Sequence, residues 1–296
     1  HDLILGHEAL GEIIQAPRQS GFQVGTLVAG IVRRPDPETC DHCAEGEVDM
    51  CRNNLYTECG IKGRHGYARE YYRLDPDSAI GVPPDLGELG VLIEPASVVA
   101  KACVQSIHFL RRSGVPPRTA LVTGAGPIGL LAALATTKYG LTTHVVDIVE
   151  DGPKPDLVRD LGAKYHAGSA ADLDISADLV IDCTGLGSVV REAASVAAPG
   201  GVIALTGLSA APAAAEVDLN VVNKRLVLSN MVMFGSVNAS RSHYITAAKV
   251  LGATDPRWLR RLITRRVPAG QWQEAVERRP DDVKVVLDIG GGEGSW

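Results

Sequence analysis

Three cysteines in a polar loop, Cys40-x2-Cys43-x7-Cys51, have the spacing of ligands to one zinc ion. A closed structural site takes four donors, and Asp36, Glu38, His42 and Cys59 are the nearby candidates for the fourth. The plainer alternative is three unconnected thiols in a loop. A disulfide framework is a habit of short secreted chains, which this is not. Cys103 and Cys183 read as small buried hydrophobes.

The second constellation is Gly124-Ala125-Gly126-Pro127-Ile128-Gly129, a G-x-G-x-x-G. It follows the apolar run Ala120 to Val122 and opens an Ala/Leu-rich segment. Gly124 permits a tight turn, Gly126 lets backbone approach a pyrophosphate, and Gly129 lets a helix pack close to the strand. The helix N-terminus then attracts the phosphate charge. Asp147 follows Gly129 by 18 residues, where a carboxylate can accept from a ribose 2′-hydroxyl. No arginine stands beside it before Arg159, which favours NAD over NADP. An ordinary tight turn is the alternative, but strand, helix and acid are all in place.

These residues need elements to hold them. Up to about residue 83 the pattern is of short strands, with Glu8 to Ile14, Thr26 to Val32 and Tyr67 to Leu74 as β-rich stretches. From Leu86 to Arg112 it is helical, with Pro95 at a kink or a helix start. Beyond Gly114 to Pro117 strands and helices alternate. Strands are expected at Ala120 to Val122, His144 to Val149, Leu179 to Ile181, Val202 to Leu205 and Leu226 to Met233; helices are expected at Ile128 to Tyr139, Pro155 to Leu161 and Val189 to Ala197. That alternation implies a parallel sheet of βαβ units. After Gly235 come helices at His243 to Leu251 and near Gln271 to Glu277, with Trp258 to Arg266 between them and a last strand at Val283 to Ile289. The one low-complexity tract is the alanine run from Ala210 to Ala215.

Composition narrows the function classes. The 296 residues fit two domains at about 150 residues each. Twenty-nine basic against 35 acidic residues give a net charge of −6, and the basic residues come in pairs (Arg33-Arg34, Arg111-Arg112, Arg260-Arg261, Arg265-Arg266) that read as solvated faces or helix ends. With 4% aromatic residues there is little to stack on bases, so no nucleic-acid partner is expected. No apolar run reads as the roughly 18 residues of a membrane span, and no signal peptide opens the chain, so a cytoplasmic protein without a membrane partner is expected.

Several segments together resemble the zinc-dependent medium-chain dehydrogenases, within them the glucose 1-dehydrogenase branch. They are Gly6-His7-Glu8-Ala9-Leu10-Gly11, the loop from Arg33 to Cys51 continuing through Tyr56-Thr57-Glu58 and Gly60-Ile61 to His65-Gly66-Tyr67, Ile93-Glu94-Pro95-Ala96, Gly235-Ser236-Val237-Asn238 and Val283-Lys284-Val285. The resemblance implies an α/β chain in which a Rossmann doubly wound parallel sheet, residues 117–237, is joined to a GroES-like, mainly-β catalytic domain made from residues 1–116 and 238–296. It implies a catalytic zinc at His7, Glu8 and Glu94, a sugar site at Glu58, Glu94 and Asn238, and cofactor-lining loops at Thr206-Gly207-Leu208 and Ser236-Val237-Asn238 beside the glycine loop. The activity implied is oxidation of an aldose at C1 to a lactone, with hydride passing to NAD or, less favoured, NADP. The alternatives are another zinc-dependent polyol or alcohol dehydrogenase, or a catalytically impaired NAD-binding protein. A homo-oligomer, dimer or tetramer, is expected.

Two departures stand out. The chain opens at His1 rather than Met and enters the G-H-E at once, as a truncated N-terminus would. The family's remaining catalytic-zinc cysteine and proton-relay hydroxyl precede that point, so a chain starting there is expected to hold this zinc weakly and turn over little. The first of the family's four structural-zinc cysteines is replaced, with Asp36 or Pro37 near its place; Asp36, Cys40, Cys43 and Cys51 are the expected set, a weakened or empty site the alternative. His7 and Glu8 are adjacent, so a strand would point them to opposite faces, and both reach one ion only if the backbone bends there.

Overall fold

Glycine-punctuated short strands open the chain. The computed structural model describes residues 2–208 and 218–290, and these divide into two compact units, one of residues 1–98 with 238–296 and one of residues 99–237. The first division falls within a helix, not at residue 116 where the pattern of the sequence changes. The alanine run at 210–215 lies outside the described residues.

The first unit begins with β1 (Leu10–Glu12) and β2 (Leu27–Gly30), followed by the short pair β3 (Arg33–Arg34) and β4 (Thr57–Cys59), β5 (Gly63–Arg64) and β6 (Ala79–Gly81). Between β3 and β4 the polar loop carries a four-residue helix, α1 (Asp41–Ala44), and a 3-10 turn at Val48–Met50. Antiparallel pairing gives one sheet ordered β1-β2-β6, and β3-β4-β5 form another. The stretch Tyr67 to Leu74, expected as a strand, makes no ladder; Tyr67 and Tyr72 instead pack ring to ring at 4.7 Å. Strand β1 is also shorter than the expected Glu8 to Ile14, which leaves His7 and Glu8 outside any ladder.

A run of 3-10 turns (Pro84–Leu92) leads into α2 (Ile93–Leu110). Pro95 sits in the first turn of α2, where a missing N–H costs nothing. The helical run Pro84–Ser113 is, against the sequence reading, long and apolar enough to cross a membrane, but 78% of its apolar window is buried in the protein, so it is a core helix.

The second unit is the parallel sheet. Its elements are β7 (Thr119–Thr123), α3 (Pro127–Lys138), β8 (Thr142–Asp147), α4 (Pro153–Asp160), β9 (Lys164–Ala167), β10 (Ala177–Asp182), α5 (Gly187–Val196), β11 (Ala197–Leu205), α6 (Leu219–Leu228) and β12 (Val232–Gly235). The strand order is β12-β11-β10-β7-β8-β9, all parallel. Near-continuous apolar strands such as Ala120–Val122 and Leu179–Ile181 are fully buried, as a sheet covered on both faces requires. The expected strand Leu226 to Met233 is two elements: α6 runs through Leu228, and β12 starts only at Val232. Strand β9 carries Lys164 and two rings, Tyr165 and His166, rather than an apolar run.

The chain then returns to the first unit with α7 (Arg241–Gly252), α8 (Pro256–Leu262), β13 (Ile263–Pro268), α9 (Trp272–Val276) and β14 (Lys284–Asp288), the last strand pairing β13 in parallel. Tyr244 of α7 is fully buried and accepts from the Val32 N–H at 3.2 Å, tying the returning segment to the first.

Candidate active site and metal centres

His7 and Glu8 share one face because no ladder governs them. Residues 4–6 are instead zipped to 66–68 by the Gly66, Tyr67 and Ala68 N–H groups, which donate to the Ile4, Gly6 and Leu5 carbonyls. The approach is so close that a Cβ on Gly66 would overlap the Leu5 and Gly6 carbonyl oxygens. The bend at Gly6, with φ +88°, aims both following side chains at the first turn of α2. Ligand atoms of His7, Glu8 and Glu94 all lie within 4.8 Å of one another.

Burial dominates the electrostatics of this group. Glu94 is 6% exposed, and desolvation pushes its carboxyl up to about 8. His7 is lowered, first by burial and then by the Lys284 ammonium, while the Glu58 carboxylate acts in the opposite sense. Lys284 of β14 forms an ion pair with Glu8, and burial brings its ammonium down to about 8. One imidazole and two carboxylates are a donor set that suits zinc. A dication there would also favour the charged carboxylate that burial disfavours at Glu94.

Glu58 and Asn238 meet directly. Asn238 holds a left-handed φ of 61° at the start of the returning segment, and its Nδ2 donates to Glu58 Oε1 at 2.7 Å. Arg33 donates to the same oxygen from Nε at 3.1 Å and Nη2 at 2.9 Å. The Arg33-Arg34 pair, expected on a solvated face, is therefore buried, and Arg34 donates to Tyr67 Oη at 3.1 Å.

In the polar loop Cys40, Cys43 and Cys51 place their sulfurs within 4.8 Å of one another. Asp36 is buried, and its Oδ2 is 3.9 Å from Cys51 Sγ while accepting from Asn53 Nδ2 at 2.7 Å. Backbone N–H donors from Cys43 and Arg52 bring the Cys40 thiol down to about 7; burial pushes Cys43 up to about 11. Three thiols with a neighbouring carboxylate fit a structural zinc. Cys59 sits elsewhere, in an apolar cluster with Ala9 and Tyr67.

In the second unit the glycine loop joins β7 to α3. Gly124 has φ +87°, Gly126 caps the helix, Pro127 is its first residue, and Ile128 follows. A Cβ on Gly129 would overlap the Gly124 carbonyl oxygen, so strand and helix can pack this closely only with glycine there. Asp147 ends β8 and accepts backbone N–H groups from Ala125 at 2.5 Å and Val149 at 3.1 Å. Thr206 and Gly207 follow β11 with both N–H groups on the Asp182 carbonyl, and Leu208 beyond them is 85% exposed. Ser236 and Val237 follow β12, with the Ser236 N–H on the Leu205 carbonyl. All of these lie at the carboxyl ends of parallel strands whose order reverses between β7 and β10, the place where such sheets bind nucleotides.

Residues 1–84 match the alcohol dehydrogenase GroES-like domain, and residues 87–289 match the glucose dehydrogenase C-terminus. A glucose 1-dehydrogenase of Methanocella arvoryzae is 36% identical over 299 residues, covering 97% of this chain and 83% of that protein. The chain belongs to the glucose dehydrogenase branch of the zinc-dependent medium-chain dehydrogenases. A glucose 1-dehydrogenase of Thermoproteus tenax is 38% identical over 97% of this chain and 82% of its own length. The solved Haloferax mediterranei glucose dehydrogenase, in complex with NADP, Zn and gluconolactone, superimposes with a TM-score of 0.88 at 27% identity over 97% of this chain and 83% of that one.

Sequence reasoning on this glucose dehydrogenase relative missed three contributors. Arg33 was hidden by its neighbour Arg34, because a buried pair partner far along the chain leaves no local signature. Lys284 was visible only as part of a family segment. Asp182 is fully buried at the end of β10 and accepts from Thr123 Oγ1, Thr184 and the Gly185 N–H, so it ties the turns around the nucleotide crevice. The signal for Asp182 was its place at the end of an apolar strand, directly before Cys183-Thr184-Gly185.

Proposed function

We propose that this dehydrogenase oxidises an aldose at C1 to its lactone, with hydride passing to NAD(P). The observation that carries the reading is the pairing of two unlike constellations in one unit. His7, Glu8 and Glu94 form a compact donor group, and Glu58 with Asn238 supplies a convergent acceptor and amide of the kind a polyhydroxylated substrate needs.

His7, Glu8 and Glu94 would hold a catalytic zinc, which when bound acts as a Lewis acid and lowers the pKa of a hydroxyl. Glu94 can hold a proton at its carboxyl up to about pH 8 before a cation is present. Glu58 accepts from sugar hydroxyls, and Asn238 holds Glu58 in place and offers its amide near the substrate. Asp36, Cys40, Cys43 and Cys51 would hold a second, structural zinc. Gly124, Gly126 and Gly129 would cradle the pyrophosphate, and Thr206, Gly207, Leu208, Ser236 and Val237 would line the rest of the dinucleotide. Asp147 supports NAD over NADP, because a 2′-phosphate would meet its negative charge.

The six free cysteines support a reducing, cytoplasmic setting. Exposed Leu219, Val221, Val227 and Leu228 on α6 support a homo-oligomer. The net charge of −6 supports no nucleic-acid partner.

The test is substrate profiling of the zinc-loaded protein with both dinucleotides. Aldoses oxidised to lactones in preference to polyols and simple alcohols support this reading. A preference for open-chain polyols favours a related dehydrogenase of the same fold.

A further inference from the structure

Arg33 is an unusual residue for a site that would take a neutral sugar. It is 6% exposed, and each of its three guanidinium nitrogens donates a hydrogen bond. Nε and Nη2 go to Glu58 Oε1, and Nη1 goes to the Asp49 carbonyl at 3.0 Å. One face of the guanidinium lies 3.7 Å from the Tyr56 ring centroid, and Lys62 lies over the same ring at 3.9 Å. Arg33 and Glu58 are also directly opposite each other in the antiparallel β3–β4 ladder, so their Cα atoms cannot drift apart.

Among the described residues, the donors that reach the Glu58 carboxylate converge on one of its two oxygens. Arg33 Nε, Arg33 Nη2 and Asn238 Nδ2 all bond Oε1, and among the described residues no hydrogen bond to Oε2 is formed. A carboxylate has about four lone-pair positions over two oxygens, so crowding one oxygen leaves the other as the acceptor for an incoming donor. Three of the five guanidinium N–H groups are spent on Glu58 Oε1 and the Asp49 carbonyl, which fixes the plane of the guanidinium against the Glu58 carboxylate.

We propose that Arg33 is the positioning residue of the sugar site: by holding Glu58 through Oε1 it presents Oε2 as the acceptor for substrate hydroxyls. This rests on the aldose reading above. Lysine cannot replace it, because one ammonium cannot bond Oε1 and the Asp49 carbonyl while stacking on Tyr56. Asn238 completes the clamp from the returning segment of the chain.

The experiment compares the zinc-loaded wild type with Arg33→Lys, Arg33→Met, Glu58→Ala and the Arg33→Met/Glu58→Ala pair, each checked for a native thermal transition. Both Arg33 variants are expected to raise KM for D-glucose about tenfold, the scale of one charged hydrogen bond, with kcat less affected. In the Glu58→Ala background Arg33→Met is expected to add less than about twofold, since a residue acting through Glu58 has nothing left to position. Equal effects of Arg33→Met in the two backgrounds, or an unchanged KM in folded Arg33→Lys, would overturn the proposal. Should wild type oxidise no aldose, the functional reading fails, and the crystal structure of Arg33→Lys still decides the clamp. Glu58 turned away from Asn238 supports it, and an unmoved Glu58 overturns it.

Discussion

Asn238 Nδ2 donates to Glu58 Oε1 at 2.7 Å, joining residues 180 positions apart in the chain. Neither has a local pattern that points to the other. Glu58 lies on the short middle strand of the β3-β4-β5 sheet, and Asn238 follows the last strand of the parallel sheet in a left-handed conformation. Their meeting places a carboxylate where burial alone would disfavour it, with its charge answered by Arg33.

Glu58→Ala is expected to raise KM for aldoses by about tenfold or more, the scale of one charged hydrogen bond of roughly 1.5–3 kcal/mol. Oxidation of a monohydroxy alcohol offers Glu58 nothing to bind and should change far less. Steady-state kinetics on both substrate types check this. Equal losses on the two would show that Glu58 is structural.

Replacing Cys40, Cys43 and Cys51 together by serine is expected to remove about one zinc per chain, by metal analysis, and to lower the thermal midpoint by several degrees, because a structural zinc contributes directly to folding. Asp36→Ala alone should weaken retention of the same zinc without eliminating it. Zinc content unchanged by the triple substitution would place no metal in this loop.

The proposed role of Asp147 can be read from cofactor preference. Titration with both dinucleotides should show tighter NAD than NADP, and Asp147→Ala should narrow the difference by lifting repulsion of the 2′-phosphate. The same substitution removes an acceptor for the Ala125 N–H, so some loss of affinity for both is expected as well. Tighter NADP binding by the wild type would contradict the assignment.

Stability should fall in mild acid through the second unit. His144 Nδ1 and His166 Nε2 are 3.0 Å apart with their rings parallel to within 6°, so one ring donates N–H to the other's lone pair and the two cannot both be protonated without losing that bond. Burial lowers both, with Lys164 adding to the effect at each and His166 adding to it at His144. The unfolded chain takes up these protons near the ordinary value of 6.5 while the folded chain resists. Unfolded protein therefore binds more protons below that value, and stability is lost as pH falls through it. Thermal midpoints measured from pH 7.5 to 5 should drop, and His166→Gln should flatten the lower part of the curve. An identical slope in the variant would show that other groups carry the acid sensitivity.

Where chemistry depends on local spacing, the sequence was readable. The G-x-G-x-x-G stands between β7 and α3, and Asp147 ends β8, because turn, helix start and strand end are all encoded within a few residues of the motif. The cysteine loop was likewise legible, since its three sulfurs are brought together within one short segment. The reading failed where long-range contacts decide. Arg33 and Arg34 look like a solvated pair until β4 and Tyr67 are placed against them. Leu226 to Met233 has the β-branched and apolar content of a strand, yet Leu226 to Leu228 finish a helix capped by Asp218, and the turn at Asn230, with φ 50°, separates it from β12. The alternation rule that would send His7 and Glu8 to opposite faces did not apply, because the bend at Gly6 and the zipper with residues 66–68 take them out of β1.

Oxidation of D-glucose by the protein, followed as NAD reduction and lactone formation before chelation, after chelation and after zinc is restored, tests most directly whether His7, Glu8 and Glu94 serve a zinc-assisted aldose dehydrogenase. Lactone formation that is lost with zinc, returns with it, and falls by at least about a hundredfold in Glu94→Ala is the expected result. Full turnover by zinc-free protein, or turnover of polyols with none of any aldose, would contradict it.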